Sequence, residues 1–380
     1  MPVKIAQPIT KPTTTSLEVG ANRTSIYFPL LQDKKIGVVA NQTSVIFKDD
    51  KSYTHLVDSL FSLNISVKKV FAPEHGFRGD ADAGELIKDG IDVKTGIPII
   101  SLYGENKKPT YEQLSGIDIV VFDIQDVGVR FYTYISTLHF VMEACAENNI
   151  PLIVLDRPNP NAHYADGPVL EISHQSFVGM HPIPVVYGMT IGEYAIMING
   201  ENWLKNQITC DLTVVPISNY SHETPYSLPI KPSPNLPNEQ SINLYPSLCF
   251  FEGTNVSVGR GTDKQFQIYG SPFLAMNSFS FTPQPNYGSK SPPHQGVECY
   301  GEDLRFYPKL NEINLTWLRD AYSLSLNSNV FFNDFFKKLA GNDKLQQQIE
   351  QGVSIDEIKE SWEKDLKSFK KIRKKYLLYH

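Results

Sequence analysis

Four short apolar runs in the first half of the chain each end in a cluster of polar residues. The runs occupy residues 35–40, 67–72, 117–122 and 151–155. Short apolar runs of this kind, rich in β-branched residues, are typical of strands buried on both faces of a parallel sheet. Helical spacing of apolar residues over 131–148 separates two of them and indicates a right-handed βαβ crossover. The pattern therefore predicts an α/β fold.

The polar clusters are the first candidates for a functional site. In an open α/β sheet, ligands bind beyond the carboxyl ends of the strands. If the four runs lie in one sheet, the residues that follow them meet at one rim. These residues are Asn41, Glu74, His75, Asp123, Asp126, Asp156 and Arg157.

Composition limits the classes of partner. The chain has 380 residues, enough for two domains of roughly 100–200 residues each, and its 41% hydrophobic content is that of a globular protein. The net charge is −6, and the first dense basic run is at 370–375, so we expect no nucleic-acid partner. Because no apolar stretch reaches the roughly 20 residues of a membrane span, we expect none.

Nothing in the sequence indicates a cofactor. The four cysteines form no C-x-x-C pair, which disfavours a zinc or redox motif. Residues 258–264 are rich in glycine and charge but lack the spacing of a phosphate-binding loop. We therefore predict neither a cofactor nor a metal.

The segment 73–79 is the sharpest cluster, because it holds Glu74, His75 and Arg78 between glycines. Glycines let the backbone turn tightly and let a ligand approach. Glu74 can then act as a general acid. The alternative is an ion pair between Glu74 and Arg78 that only shapes the loop.

A pair of carboxylates follows the next run. Asp123 and Asp126 suit acid–base or oxocarbenium chemistry, and they also suit a hard metal ion. One of them can instead cap the following helix. Arg130 can bind an anionic substituent through two hydrogen bonds, and Tyr132 can contact substrate or belong to the core.

Residues 156–161 form a proline-stiffened turn that presents Asp156, Arg157, Asn159 and Asn161. Such a turn is preorganised for a hydroxyl-rich ligand, or it is a purely structural network of Asx turns.

Two further residues are candidates for binding. Arg260 can bind a substrate carboxylate. His181 is either a ligand at the rim or a histidine satisfied within a turn.

Taken together, the clusters resemble one family, the DUF1343 group, which includes exo-β-N-acetylmuramidases of the NamZ type. The resemblance covers nearly the whole chain from about Leu31. Tyr187 is a departure from it, because we expect histidine there in many relatives. The matching segments are 41–43, 73–79, 123–128, 130–134, 155–160, 176–184, 231–238, 251–254 and 257–263.

The resemblance implies an architecture. It implies an N-terminal extension (1–30), a Rossmann-like catalytic domain (31–235) and a smaller C-terminal α/β auxiliary domain (236–380), with the active site in the cleft between the two domains. It further implies removal of non-reducing-end N-acetylmuramic acid from peptidoglycan fragments, and Glu74 matches the leading catalytic residue.

This substrate assigns roles to the candidates. Its acetamido group and hydroxyls suit Asn41, Asn159 and Asn161. After protonation by Glu74, either Asp123 or Asp126 assists, or the substrate's own acetamido oxygen attacks. The candidate partners of its lactyl carboxylate are Arg78, Arg130, Arg157 and Arg260.

Two other functions remain open at the level of sequence. One is a metal-dependent hydrolase that uses His75, Asp123 and Asp126. The other is a non-catalytic protein that binds muropeptides in the cell envelope. The substrate leads us to expect a periplasmic, envelope or secreted location.

Overall fold

The computed structural model describes residues 3–6, 16–49, 52–79, 89–276 and 278–380. The sequence predicts a long loop over residues 76–96, and part of it lies outside the described residues. The strands are β1 (Lys4–Ile5), β2 (Lys35–Ala40), β3 (Val45–Phe47), β4 (Tyr53–His55), β5 (Ser66–Ala72), β6 (Gly90–Ile91), β7 (Pro98–Ser101), β8 (Ile119–Asp123), β9 (Leu152–Leu155), β10 (Leu212–Val215), β11 (Ile268–Ser271), β12 (Phe279–Phe281) and β13 (Cys299–Asp303). The α-helices are α1 (Thr24–Leu31), α2 (Leu56–Ser62), α3 (Tyr111–Leu114), α4 (Tyr134–Glu147), α5 (Ile191–Gly200), α6 (Glu239–Leu248), α7 (Thr316–Ser323), α8 (Phe335–Ala340), α9 (Lys344–Glu350) and α10 (Ile355–Arg373).

The four apolar runs become neighbouring strands of one sheet. In the described part of the chain, this sheet has eight strands in the order β1-β10-β9-β8-β2-β5-β7-β6. All neighbours are parallel except β6, which pairs antiparallel with β7. The strand order reverses between β2 and β8, as in a doubly wound fold. The predicted α/β class is therefore confirmed.

Alternate side chains of these strands enter two different cores. Val38 and Val121 belong to one apolar cluster, which also holds Tyr27 of α1. Val39 and Phe122 belong to the other, larger cluster, which continues into the C-terminal part of the chain. Burial on both faces explains why the inner residues of these strands are apolar, whereas Lys35 and Lys68 are exposed near the starts of β2 and β5.

The C-terminal part is smaller and mixed. Its described residues include a three-stranded antiparallel sheet, β11-β13-β12, and the helices α6 to α10. Prolines recur over residues 216–246, and because proline fixes φ and removes an N–H donor this predicts a loop throughout. The prediction is wrong from Glu239 onward. There Asn238 and Ser241 form a capping box that starts α6.

Both ends of the described chain return to the large sheet. β1 pairs with β10 at its edge. After α10, the backbone N–H groups of Leu378 and Tyr379 donate to the buried carboxylate of Glu193, and the Tyr379 hydroxyl donates to Asp156 at 2.5 Å. None of the described helices has both the length and the apolar character needed to cross a membrane.

Candidate active site

A cavity of about 230 Å³ lies beyond the carboxyl ends of β5 and β7. Its wall is built from the large-sheet part of the chain and from the C-terminal part. Four of the residues singled out from the sequence line it: Glu74, His75, Tyr132 and Arg260. The remaining lining residues are Tyr103, Phe131, Thr133, Phe177, Val178, Ser233, Asn235, Leu236, Tyr245, Glu252, Phe266 and Phe335.

Glu74 is the acid that the end of β5 delivers to this cavity. The Thr133 hydroxyl donates to Glu74 Oε2 at 2.7 Å. Thr133 precedes α4 but caps none of its N–H groups, so its hydroxyl serves Glu74 instead. Tyr103 also forms a hydrogen bond with Glu74, and burial together with that carboxylate raises the pKa of the Tyr103 hydroxyl. Two neutral hydroxyl groups therefore orient this carboxylate.

The backbone after Glu74 turns sharply. His75 has a φ of 72° and the following Gly76 a φ of 79°. A histidine in the left-handed region is uncommon and marks a place where the surrounding structure fixes the backbone. The turn keeps His75 in the cavity wall although the residue is only 4% exposed.

Tyr132 lines the cavity and fixes the proline-rich loop that contains Pro232. Its hydroxyl donates to the carbonyl oxygen of Pro232 at 2.8 Å, next to the lining residues Ser233 and Asn235. Asn41 lies one layer deeper, fully buried, and donates to the Tyr134 hydroxyl at 2.9 Å. The structure therefore places Asn41 behind the cavity wall.

Arg260 forms an ion pair with Glu252 inside the cavity wall. Its Nε and Nη2 lie 2.7 and 2.6 Å from the same oxygen, Glu252 Oε1. The two side chains remain 17% and 24% exposed. Both therefore reach the cavity, and Glu252 is a second carboxylate there.

Asp123 lies away from the cavity, in a buried ion pair with Arg157. The pair is bidentate, with distances of 2.6 and 2.9 Å, and both side chains are at most 2% exposed. Arg157 also donates to the carbonyl oxygen of Val45. The structure thus brings these two predicted residues together, but as an ion pair with each other and outside the cavity wall.

Asp126 is also buried and is not among the lining residues. It accepts hydrogen bonds from the Tyr187 hydroxyl and from the Gly128 N–H. Burial raises its pKa to about 6. Its Oδ1 has no hydrogen-bond partner among the described residues.

Arg130 is fully buried and ties two distant parts of the chain together. Its Nη1 donates to the carbonyl oxygens of Pro168 and Ile183, and its Nη2 to those of Leu339 and Ala340, all at 2.7 to 2.9 Å. The guanidinium is therefore committed to backbone groups.

Arg78 points to the outer side of its loop. It forms ion pairs with Asp58 at 3.0 Å and with Asp92 at 2.8 Å. It is thus bound to two carboxylates that both lie outside the cavity wall.

The turn at 156–161 is a buried structural network. Asn159 donates to Met189 O, and Asn161 donates to Val127 O and Ile242 O. Gly128 packs so tightly here that a Cβ on it would clash with the Asn159 amide. Asp156 is fully buried as well and accepts four hydrogen bonds.

His181 is a satisfied histidine of the interior. Its ring stacks on Trp203 with centroids 4.4 Å apart, and its two nitrogens meet the Tyr194 hydroxyl and His139. It does not line the cavity.

Metal ligands and thiols are not gathered at this site. In the part of the chain that the structure describes, no group of three or more His, Cys, Asp and Glu side chains could hold a metal ion. The four cysteines are free and buried.

The sequence motifs did not single out three of the lining residues, which are Tyr103, Thr133 and Glu252. Thr133 and Glu252 lie inside segments that resemble the family, at 130–134 and 251–254. Tyr103 carried no such signal beyond following a predicted strand.

Comparisons with known proteins point to one family over most of the chain. Models described as exo-β-N-acetylmuramidase NamZ, N-terminal and C-terminal, match residues 36–240 and 243–379. The chain is 42% identical over 381 residues to the peptidoglycan β-N-acetylmuramidase NamZ of Bacillus subtilis (strain 168), covering 93% of this chain and 89% of that protein. The chain therefore belongs to the NamZ family of exo-β-N-acetylmuramidases.

Two crystal structures of DUF1343 family proteins from Bacteroides fragilis NCTC 9343 share the fold. One has a TM-score of 0.88 and 46% identity, over 96% of this chain and 99% of that one. The other has a TM-score of 0.82 and 28% identity, over 97% and 100%.

Proposed function

We propose that this protein hydrolyses the glycosidic bond of non-reducing-terminal N-acetylmuramic acid in peptidoglycan fragments, with Glu74 as the proton donor. Membership of the family supports the reaction. The observation that supports the residue is the position of Glu74 in the cavity wall, held by Thr133 at 2.7 Å and by Tyr103.

In this mechanism Glu74 protonates the glycosidic oxygen as the bond to the anomeric carbon breaks. Hydroxyl donors on its carboxylate fix the direction of the acid, and a fixed direction lowers the entropic part of the barrier. General acid catalysis of this kind contributes roughly 10²–10⁴-fold to a rate.

The same step needs a group that stabilises the positive charge developing at the anomeric carbon. Asp123 is paired with Arg157 and Asp126 with Tyr187, both outside the cavity wall, and Glu252 is paired with Arg260. We therefore favour attack by the substrate's own acetamido oxygen, since this route needs no carboxylate nucleophile. Water then opens the cyclic intermediate, with Glu74 as the base that takes its proton.

We further propose that the enzyme works on the envelope side, in periplasm or outside the cell, and takes part in cell-wall recycling. The support is the chemistry of the substrate, since peptidoglycan and its fragments arise there.

The test is release of the chromophore from a chromogenic β-N-acetylmuraminide. We expect turnover by the wild type and a loss of roughly 10²–10⁴-fold in kcat for Glu74→Gln. Glu363→Gln is the matched control, because Glu363 lies on the surface beside Lys367. No release by the wild type would overturn the reaction, and binding without turnover would favour a sugar-binding protein. Full activity of Glu74→Gln would overturn the residue.

A further inference from the structure

N-acetylmuramic acid differs from N-acetylglucosamine by a lactyl ether whose carboxylate is ionised at neutral pH. An enzyme that distinguishes the two sugars needs a cation or several N–H donors near that carboxylate. We propose that Arg260 binds the lactyl carboxylate and so determines the specificity for muramic acid. The proposal rests on the proposed function.

The other three candidate arginines have their donors engaged elsewhere. Arg130 is bonded to four backbone carbonyl oxygens. Arg157 holds Asp123 and a carbonyl oxygen, and Arg78 holds Asp58 and Asp92. A new anion would have to break these contacts before it could bind.

Arg260 is placed differently, because it faces the same cavity as Glu74. Among the described residues that line this cavity, it is the only Arg or Lys. A sugar whose glycosidic oxygen lies at Glu74 therefore has one guanidinium within the same enclosure.

One edge of the Arg260 guanidinium is available. Nε and Nη2 both bond to Glu252 Oε1, which uses the lateral edge of the group. In the described part of the chain, Nη1 has no partner, so the end formed by Nη1 and Nη2 can still bind a carboxylate through two parallel hydrogen bonds. Arginine has five N–H donors, enough for two carboxylates on separate edges.

The same neighbours orient this edge. Glu252 fixes the Arg260 guanidinium from one side. The Cζ atom of Arg260 lies 5.4 Å from the centroid of the Phe266 ring. A guanidinium that is already held loses little side-chain entropy when it binds the substrate. Glu252 is in this view a positioning residue for Arg260.

The experiment compares two substrates and four proteins, namely the wild type, two variants of Arg260 and one control variant. The substrates are a chromogenic β-N-acetylmuraminide and the same compound with its lactyl carboxyl converted to a neutral amide. We expect the wild type to prefer the carboxylate by roughly 10- to 100-fold in kcat/KM, mostly through KM, the size expected for hydrogen bonds to a charged group. Arg260→Gln should bring this preference close to one, and Arg260→Lys should restore part of it.

Lys107→Gln is the matched control. Lys107 is a nearby cation that packs over the ring of the lining residue Phe177 at 5.0 Å, and its removal should leave the preference unchanged. The proposal is overturned if the wild type hydrolyses both substrates equally well, if Arg260→Gln keeps the wild-type preference, or if Lys107→Gln abolishes it. The first of these outcomes is measured on the wild type alone, so it does not depend on whether a variant folds. Failure of the wild type to hydrolyse either substrate would instead reject the proposed function.

Discussion

The Thr133 hydroxyl donates a hydrogen bond to the Glu74 carboxylate across 2.7 Å, although 59 positions separate the two residues in the chain. Thr133 does not cap α4, so removing its hydroxyl leaves the helix start intact. We predict that Thr133→Val lowers kcat for the muraminide by roughly 10- to 100-fold with little change in KM, because a bond to a charged group is lost.

Thr133→Ser is the control for this prediction. Serine keeps the hydroxyl and should restore most of the rate. Equal losses in both variants would mean that the methyl group, and not the hydrogen bond, matters at this position.

The backbone hydrogen bonds of Arg130 predict that its substitution strongly lowers the stability of the folded protein. Arg130→Met keeps much of the side-chain length but leaves four backbone carbonyl oxygens without their donors. We expect the free energy of unfolding to fall by at least about 3 kcal/mol, measured by urea denaturation. Arg319→Met, on the surface beside Asp320, should stay within about 0.5 kcal/mol of the wild type.

Asp156 predicts a dependence of stability on pH. Burial raises its pKa from the ordinary value of 3.8 to about 7 in the folded protein. The hydrogen bond from Tyr379 opposes this rise, and the nearby carboxylate of Glu193 adds to it. The folded state therefore holds this proton more tightly than the unfolded state. The stabilisation is complete below about pH 4 and is lost as the pH rises through 7, by up to about 1.4 kcal/mol per pH unit.

Asp156→Asn should remove this contribution. The partners of Oδ2 are the hydroxyls of Thr190 and Tyr379, which can accept a hydrogen bond from the new amide. The measurement is urea denaturation from pH 4 to 8, and the Asp33→Asn variant, on the surface, should retain the wild-type slope. An unchanged slope in Asp156→Asn would contradict the assignment of this pH dependence to Asp156.

The hydrogen bonds of Tyr379 predict that replacing its hydroxyl lowers the stability of the folded protein. Its hydroxyl donates to Asp156 at 2.5 Å and accepts from the Ile217 N–H at 2.8 Å. Tyr379→Phe leaves that buried N–H without its partner and should lower the free energy of unfolding by about 1–3 kcal/mol in urea denaturation. Tyr111→Phe, at a residue that is 71% exposed, should have almost no effect.

Much of the fold could be predicted because its signals are local. Each of the four apolar runs predicts a strand, and the spacing of Thr190 and Glu193, typical of a capping box, predicts the start of a helix. All five elements appear in the structure. Helix α6 escaped prediction because the prolines before it dominate the composition, while its start depends on a side-chain contact between Asn238 and Ser241.

The site could be predicted only in part. Glu74 and Arg260 lie in the cavity wall as the motifs suggested. Asp123 and Arg157 do not, because charges 34 positions apart meet each other across neighbouring strands. The sequence shows that both charged residues lie at the ends of predicted strands. Tertiary packing decides whether they bind a ligand or each other.

The bonds from Leu378 and Tyr379 to Glu193 and Asp156 have a consequence for synthesis of the chain. Domains generally fold in order as the ribosome releases them. Here, carboxylates beside β9 and at the start of α5 obtain these donors only after residues 378 and 379, which follow 185 and 223 positions later in the chain, have been synthesised. We therefore expect the large-sheet domain of a nascent chain to remain incompletely bonded until these two residues have left the ribosome.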